Sequence, residues 1–234
     1  MSESWPDLTF SPEEFSGRVR LFPLPNLVMF PHVIQPLHIF EPRYRQMLEE
    51  ALADDRMLAM ALLAPGWERD YEGRPAVHPM ACLGRVATHQ RLEDGRYNLL
   101  LFGLRRVELI RELGPDKPYR IAEARLCEDQ YPTAAAAERD ELRRELLKLF
   151  RTALPSLPQA QEPLDELLGS DVSLGALTDI VGYTLQLDLA FKQRLLSEPN
   201  VDRRARLLLS AIADQPTAFA CSRGAKFPPE FSEN

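Results

Sequence analysis

The sequence predicts an α+β protein: a strand-rich first part closing into a small barrel with one early helix, then a helical part. Three observations predict this. Cys82–Leu92 and Tyr97–Phe102 are apolar, strand-like runs joined by Glu93-Asp94-Gly95-Arg96, and Asp-Gly between two such runs is a strong hairpin signal. Short strand-like runs recur from Val19 to Leu126 with a single helical pattern among them, a spacing that suits a closed or nearly closed barrel. Beyond about residue 130 the apolar period becomes helical.

Residues 1–17 read as a mostly polar lead-in that Trp5, Phe10 and Phe15 could pin to the body. Val19–Tyr44 is apolar and broken repeatedly by proline. Proline removes a backbone donor, so the strands here must be short, edge-placed or bulged. Glu41-Pro42 starts a helix, with an acidic residue before a proline at the first helical position. Tyr44, Met47, Leu48, Ala51 and Leu52 give it one apolar stripe. Met57–Leu63 reads as a buried strand, and Ala64–Pro79 as a long polar loop carrying Trp67 and Tyr71. After the hairpin, Gly103 permits a bend into a further strand, Arg105–Leu113. Gly114-Pro115-Asp116 turns the chain into Tyr119–Leu126.

In the second part the pattern predicts helices over Glu138–Ala153, Leu164–Leu168, Ser173–Gln186, Leu189–Leu196 and Val201–Ala213. Ser173 and Asn200 are expected caps, and Gly182 weakens its helix by about 1 kcal/mol relative to alanine. The prolines between Leu154 and Pro163 mark a linker, and residues from Gln215 onward form an aperiodic tail. The expected organisation is a lead-in over 1–17, a barrel over 18–130, a helical subdomain over 131–214 and a tail over 215–234.

Charge narrows the function. The chain carries a net charge of −7; residues 1–130 hold 16 basic and 20 acidic side chains, and residues 131–234 hold 12 and 15. Neither half is a basic module, which argues against nonspecific nucleic-acid binding through phosphate neutralisation. Cys82, Cys127 and Cys221 are widely spaced, form no metal-binding pattern and fit a reducing cytoplasm. No signal peptide and no apolar run of membrane-spanning length is evident.

Four pieces of sequence, in order, resemble one family. LFPLPNLVMFP is similar to the opening strand and turn of the Lon-protease N-terminal (substrate-recognition) domain, and PLHIFEPRYRQMLEEAL to its first helix in the stand-alone bacterial form. CLGRVATHQRLEDGRYNLLLFGLRRVELI resembles its central hairpin, and LAFKQRLLSEPNVDRRARLLLSAI its C-terminal helical signature. The resemblance spans roughly residues 19–213. It implies a PUA-like β-barrel followed by an α-helical bundle. It also implies a non-catalytic module that binds unfolded or flexible protein segments, acting as an adaptor or substrate receptor in protein quality control beside a protease or chaperone.

The family defines no catalytic residues in this domain, and no cofactor is expected. These 234 residues contain no Gly-Lys step for a Walker A loop, no Ser/Lys pair in a protease-like context and no GxSxG elbow. The alternatives are a PUA-like RNA binder and a small-ligand protein with a pocket between barrel and helices. His32 and His38, with Glu41, are the nearest approach to a metal set, and Cys82 or Cys127 with His89 the nearest to a nucleophile pair. The candidate partner-binding residues are Phe30 and Pro31 in the first turn, Trp67 and Tyr71 in the long loop, and Arg105 and Arg106 after Gly103. Exposed apolar side chains beside arginine are what binding hot spots use.

Overall fold

A computed structural model describes residues 9–69, 73–153 and 172–214. The proline-rich stretch 154–163, the short helix expected at 164–168, residues 1–8 with Trp5, Tyr71 and the tail beyond 214 lie outside the described residues. The chain divides into two compact units between Cys127 and Glu128.

The first unit is a small β-barrel. Its strands are β1 (Arg18–Leu24), β2 (Ile34–Ile39), β3 (Met57–Leu62), β4 (Met80–Arg91), β5 (Tyr97–Glu112) and β6 (Arg120–Cys127), with helix α1 (Pro42–Leu52) between β2 and β3. The ladder runs β2-β5-β4-β3-β1-β6, and a β5–β6 pairing closes the ring. β5 achieves this by being long. Tyr97–Phe102 pair with β2 on one side and β4 on the other, whereas Arg106–Glu112 pair with β6. The two strands expected on either side of Gly103 are therefore one strand of 16 residues that changes neighbour as it passes the glycine. β1 and β3 run parallel, the other ladders antiparallel.

The prolines sit where the ladder tolerates them. Pro36 lies in β2, the outermost strand, which is laddered to β5 alone. Pro23 pairs with Ala61 of β3, beyond Leu21, where pairing with β6 stops. The interior is narrow and is filled largely by small residues: Ala59, Ala61, Ala81, Ala122 and Ala124 pack with Val19, Leu21, Leu83, Leu104 and Val107. Phe10 and Phe15 of the lead-in pack against this cluster. Between them Ser11 and Glu14 form a capping box around the 3-10 turn Pro12–Glu14.

Helix α1 buries the predicted stripe of Tyr44, Met47, Leu48 and Ala51. Glu41 is its N-cap residue, but its carboxylate does not cap the helix. It accepts from Arg43 Nε at 2.9 Å instead.

The second unit contains α2 (Ala136–Ala153), α3 (Leu174–Thr184), α4 (Leu189–Ser197) and α5 (Val201–Asp214). Ser173 Oγ accepts from Ala176 N at 3.1 Å, and Asn200 Oδ1 accepts from Asp202 N and Arg203 N at 3.0 Å, so both expected caps form. Leu142, Leu146 and Phe150 of α2, Leu177 and Val181 of α3, and Ala205, Leu208 and Ile212 of α5 are buried. Among them runs a charged link. Arg204, 1% exposed, donates to both carboxylate oxygens of Asp129 at 2.7 Å, to Thr178 Oγ1 and to the Glu198 carbonyl.

Candidate partner-binding surface

The long loop leaves β3 and returns to β4 as two legs. The Leu63–Val77 bridge and the bond from Ala64 N to the Ala76 carbonyl hold the legs together. The Arg120 guanidinium donates to the Pro75 carbonyl at 2.8 Å, and Arg74 donates to the Leu113 carbonyl at 3.3 Å. These bonds fasten the return leg to the end of the barrel.

Under the legs lies an open cleft of about 210 Å³ lined by Pro23, Arg43, Tyr44, Leu63, Gly73, Pro75 and Arg120. Small-molecule sites run from about 300 to 1,000 Å³, so this cleft has room for a side chain rather than a cofactor. Its two arginines are already committed. Arg43 pairs with Glu41 at 2.9 Å and stacks on the Tyr44 ring, while Arg120 grips both oxygens of Glu112. The cleft is therefore chiefly an apolar notch with a polar wall. Trp67 opens a 3-10 turn, Trp67–Arg69, between the two legs and is half-buried.

The other sequence candidates separate. Phe30 is fully buried and Pro31 is buried as well, which corrects their expected place on a binding surface. Their turn is tied to β5: His32 N donates to the Gly103 carbonyl at 2.8 Å, and Gly103 N to the Val33 carbonyl at 2.9 Å. A Phe-Pro turn thus closes the barrel. Arg105 is half-buried, with its guanidinium 5.6 Å from the Phe10 ring and bonded to the Leu104 carbonyl. Arg106, on the opposite face of β5, is only 3% exposed. The pair does not make a two-arginine site.

Histidine and cysteine chemistry does not converge either. His38 Nδ1 lies 2.7 Å from Asn98 Oδ1 and its Nε2 lies 3.2 Å from Arg96, an arrangement satisfied by the neutral ring with its proton on Nδ1. His32 sits in the turn at φ +64. Cys82 is buried, and burial pushes the Cys127 thiol up, away from thiolate reactivity. Among the described residues no three His, Cys, Asp or Glu side chains are grouped to hold a metal ion, and no helix is long and apolar enough to cross a membrane.

One feature escaped sequence reasoning altogether. Arg45, Arg56 and Arg91 lie on different elements, yet each borders the α1 side of the β4–β5 hairpin. Nothing local in the sequence marks them, because strand pairing brings them together.

A small closed barrel with a looped apolar notch, followed by helices, defines a recognition domain by its fold. The chain belongs to the ATP-dependent protease La (LON) substrate-binding domain family, whose model matches residues 18–214. It is 24% identical over 200 residues to Lon protease 2 of Myxococcus xanthus and 28% identical over 200 residues to Lon protease of Xanthomonas oryzae pv. oryzae. These alignments cover 86% and 82% of this chain but only 24% and 22% of those proteins. The chain spans about a quarter of their length. The fold is also that of the N-terminal domain of Mycobacterium avium complex Lon protease, with a TM-score of 0.64 at 18% identity, covering 84% of this chain and 98% of that one. A Lon N-terminal domain protein from Xanthomonas campestris matches with a TM-score of 0.57 at 22% identity, covering 82% and 97%.

Proposed function

We propose that this chain is a non-catalytic receptor for unfolded or flexible protein segments, serving a protease or chaperone in protein quality control. The observation that carries the reading is the substrate-binding family match over residues 18–214. The sequence itself adds that these 234 residues hold neither a Walker A loop nor a Ser/Lys pair. The division of labour is a barrel over 18–130 that binds and a helical bundle over 131–214 that completes the domain.

The binding element is the Trp67 turn with the notch beneath it, and Tyr71 of the same loop adds a second aromatic. A half-buried tryptophan beside a pocket of side-chain size suits capture of one apolar residue from an extended chain. The test is fluorescence anisotropy with a dye-labelled, reduced and carboxymethylated model protein. Micromolar binding is expected, weakened at least fivefold by Trp67→Ala and unchanged by Ile110→Ser, a control at an exposed residue on β5. Absence of binding by the wild-type chain would overturn the receptor reading; equal binding by Trp67→Ala would move the site off the loop.

A further inference from the structure

We infer that Arg45, Arg56 and Arg91 form a cationic track that selects client segments carrying acidic residues beside their apolar core. The inference rests on the receptor reading above and names the substrate class that reading leaves open.

The track follows from which carboxylates are already occupied. Helix α1 and the turn after it contain five: Glu41, Glu49, Glu50, Asp54 and Asp55. Glu41 is paired with Arg43. Glu50 accepts from Tyr119 and Lys117. Asp54 and Asp55 are both held by Arg20 at 2.6 Å. Glu49 accepts the Tyr97 hydroxyl at 2.8 Å. In the hairpin opposite, Asp94 is paired with Arg96. Arg45, Arg56 and Arg91 make no ion pair among the described residues. In a chain of net charge −7 this is a local positive excess, and arginine is the side chain best shaped to take a carboxylate on two parallel bonds.

The three guanidiniums are also held in place. Arg45 lies on the hairpin turn: a Cβ on Gly95 would stand 2.6 Å from its Nη2, and Gly95 itself has φ +81. Arg91 sits 5.8 Å from the Tyr97 ring, to which it is opposite in the β4–β5 register. Both guanidiniums act on the Tyr97 hydroxyl electrostatically, which places them around one point. Arg56 takes φ +60, a backbone state unfavourable for an arginine, and its Nε donates to the Val86 carbonyl at 3.1 Å. His89 lies between Val86 and Arg91 on β4, and burial and then Arg56 hold its imidazole below the ordinary value. The positive field is thus felt along the strand from Arg56 past His89 to Arg91 and Arg45.

An acidic peptide fits this track better than nucleic acid does. Single-stranded nucleic acid is held by stacking on exposed aromatic rings as well as by charge, and Tyr97, the ring at the track's centre, is only 5% exposed. A long polyanion would also run onto the acidic remainder of the protein. A short acidic stretch meets only the local excess, since screening confines the field to about 8 Å at physiological salt.

The experiment uses three labelled peptides with one apolar centre and flanks of Glu/Asp, Ser/Gly or Lys, against the full chain and an Arg45→Gln/Arg91→Gln variant, at 50 and 300 mM NaCl. Arg56 is left in place because it bonds to β4. We expect the acidic peptide to bind at least fivefold more tightly than the neutral one at 50 mM. That advantage should vanish in the variant and shrink at 300 mM, while neutral-peptide affinity and circular dichroism stay unchanged. Equal binding of acidic and neutral peptides, or a preference that survives in the variant, overturns the track and leaves the receptor reading standing. No binding of any peptide overturns both. Oligouridylate binding more tightly than the acidic peptide, and lost in the same variant, overturns the inference in favour of nucleic acid.

Discussion

Gly103 lies against the main chain of Phe30: a Cβ built on Gly103 would stand 2.1 Å from the Phe30 carbonyl oxygen and 3.0 Å from the Pro31 Cα. The obstacle is backbone, itself held by the hydrogen bonds from His32 to Gly103 and from Gly103 to Val33. No rotamer change can relieve it. Gly103→Ala is expected to cost about 3 kcal/mol, the upper end of the range for overpacking. Gly114→Ala is the control, because nothing lies within 4 Å of its Cβ and its φ is not positive. It should be near neutral. Urea-melt midpoints of the two variants check both statements.

Glu50 and Tyr119 couple the helix to the barrel and set an acid limit. The Tyr119 hydroxyl donates to Glu50 at 2.5 Å, and this bond is the largest cause holding the Glu50 carboxyl at about 2, below its ordinary 4.5. A carboxyl with a depressed folded pKa contributes stability above the unfolded value and loses it as pH falls toward the folded one. The contribution is therefore present above about pH 4.5 and fades between pH 4.5 and 2. On the alkaline side burial and Glu50 push Tyr119 up to about 12 from 10, so its share is present below pH 10 and is lost between pH 10 and 12. Tyr119→Phe should flatten both limbs in urea melts taken across pH. A variant whose acid limb is as steep as that of wild type refutes this coupling.

How far the sequence foretold these arrangements depends on the range over which the chemistry acts. The Asp94-Gly95 turn, the α1 stripe from Tyr44 to Ala51 and the caps at Ser173 and Asn200 are local devices, and each sits where the pattern puts it. The parallel β1–β3 ladder and the passage of β5 beyond Gly103 are set by pairing between distant segments, which periodicity does not encode. Phe30 was legible as apolar, but the same Phe-Pro chemistry suits an exposed turn and a turn clamped to β5; only the tertiary contact decides. The arginine track is the extreme case. Arg45 and Arg91 are separated by most of the barrel's sequence, and what distinguishes them is that other cations have taken the nearby carboxylates.

Lys192 predicts a pH effect of opposite sign in the helical unit. Burial lowers its pKa to about 8 from 10.5, and its ammonium donates to the Tyr183 carbonyl near the end of α3 at 2.8 Å. Between pH 8 and 10.5 the unfolded chain binds the proton more tightly than the folded one, so the stability of this unit rises with pH across that window. Tyr183 is raised by burial and acts the other way above pH 10, which leaves pH 8 to 10 as the clean interval. Lys192→Met should abolish the rise. Thermal melts followed by circular dichroism at half-unit steps measure it, and a wild-type curve flat from pH 8 to 10 would contradict the assignment.

Arg204 and Asp129 provide the test of what holds the helical unit together. Asp129 precedes Gln130, which bridges to Asn200, so the ion pair fastens the start of the unit to the start of α5. The fit is close: a Cβ on Gly175 would stand 2.2 Å from Asp129 Oδ2 and 2.6 Å from the Tyr131 hydroxyl. Arg204→Met should cost about 3 kcal/mol, the lower end for breaking a buried pair, because Asp129 keeps some access to water. Arg204→Lys should not rescue it, since a single ammonium cannot span both carboxylate oxygens and also reach Thr178 and the Glu198 carbonyl. Removing both charges, as Arg204→Met with Asp129→Leu, should recover part of the loss, because burying two paired ions has its own desolvation cost. A double variant less stable than either single one would mean instead that the pair acts through its neutral neighbours. In that case Thr178→Val alone should reproduce most of the damage.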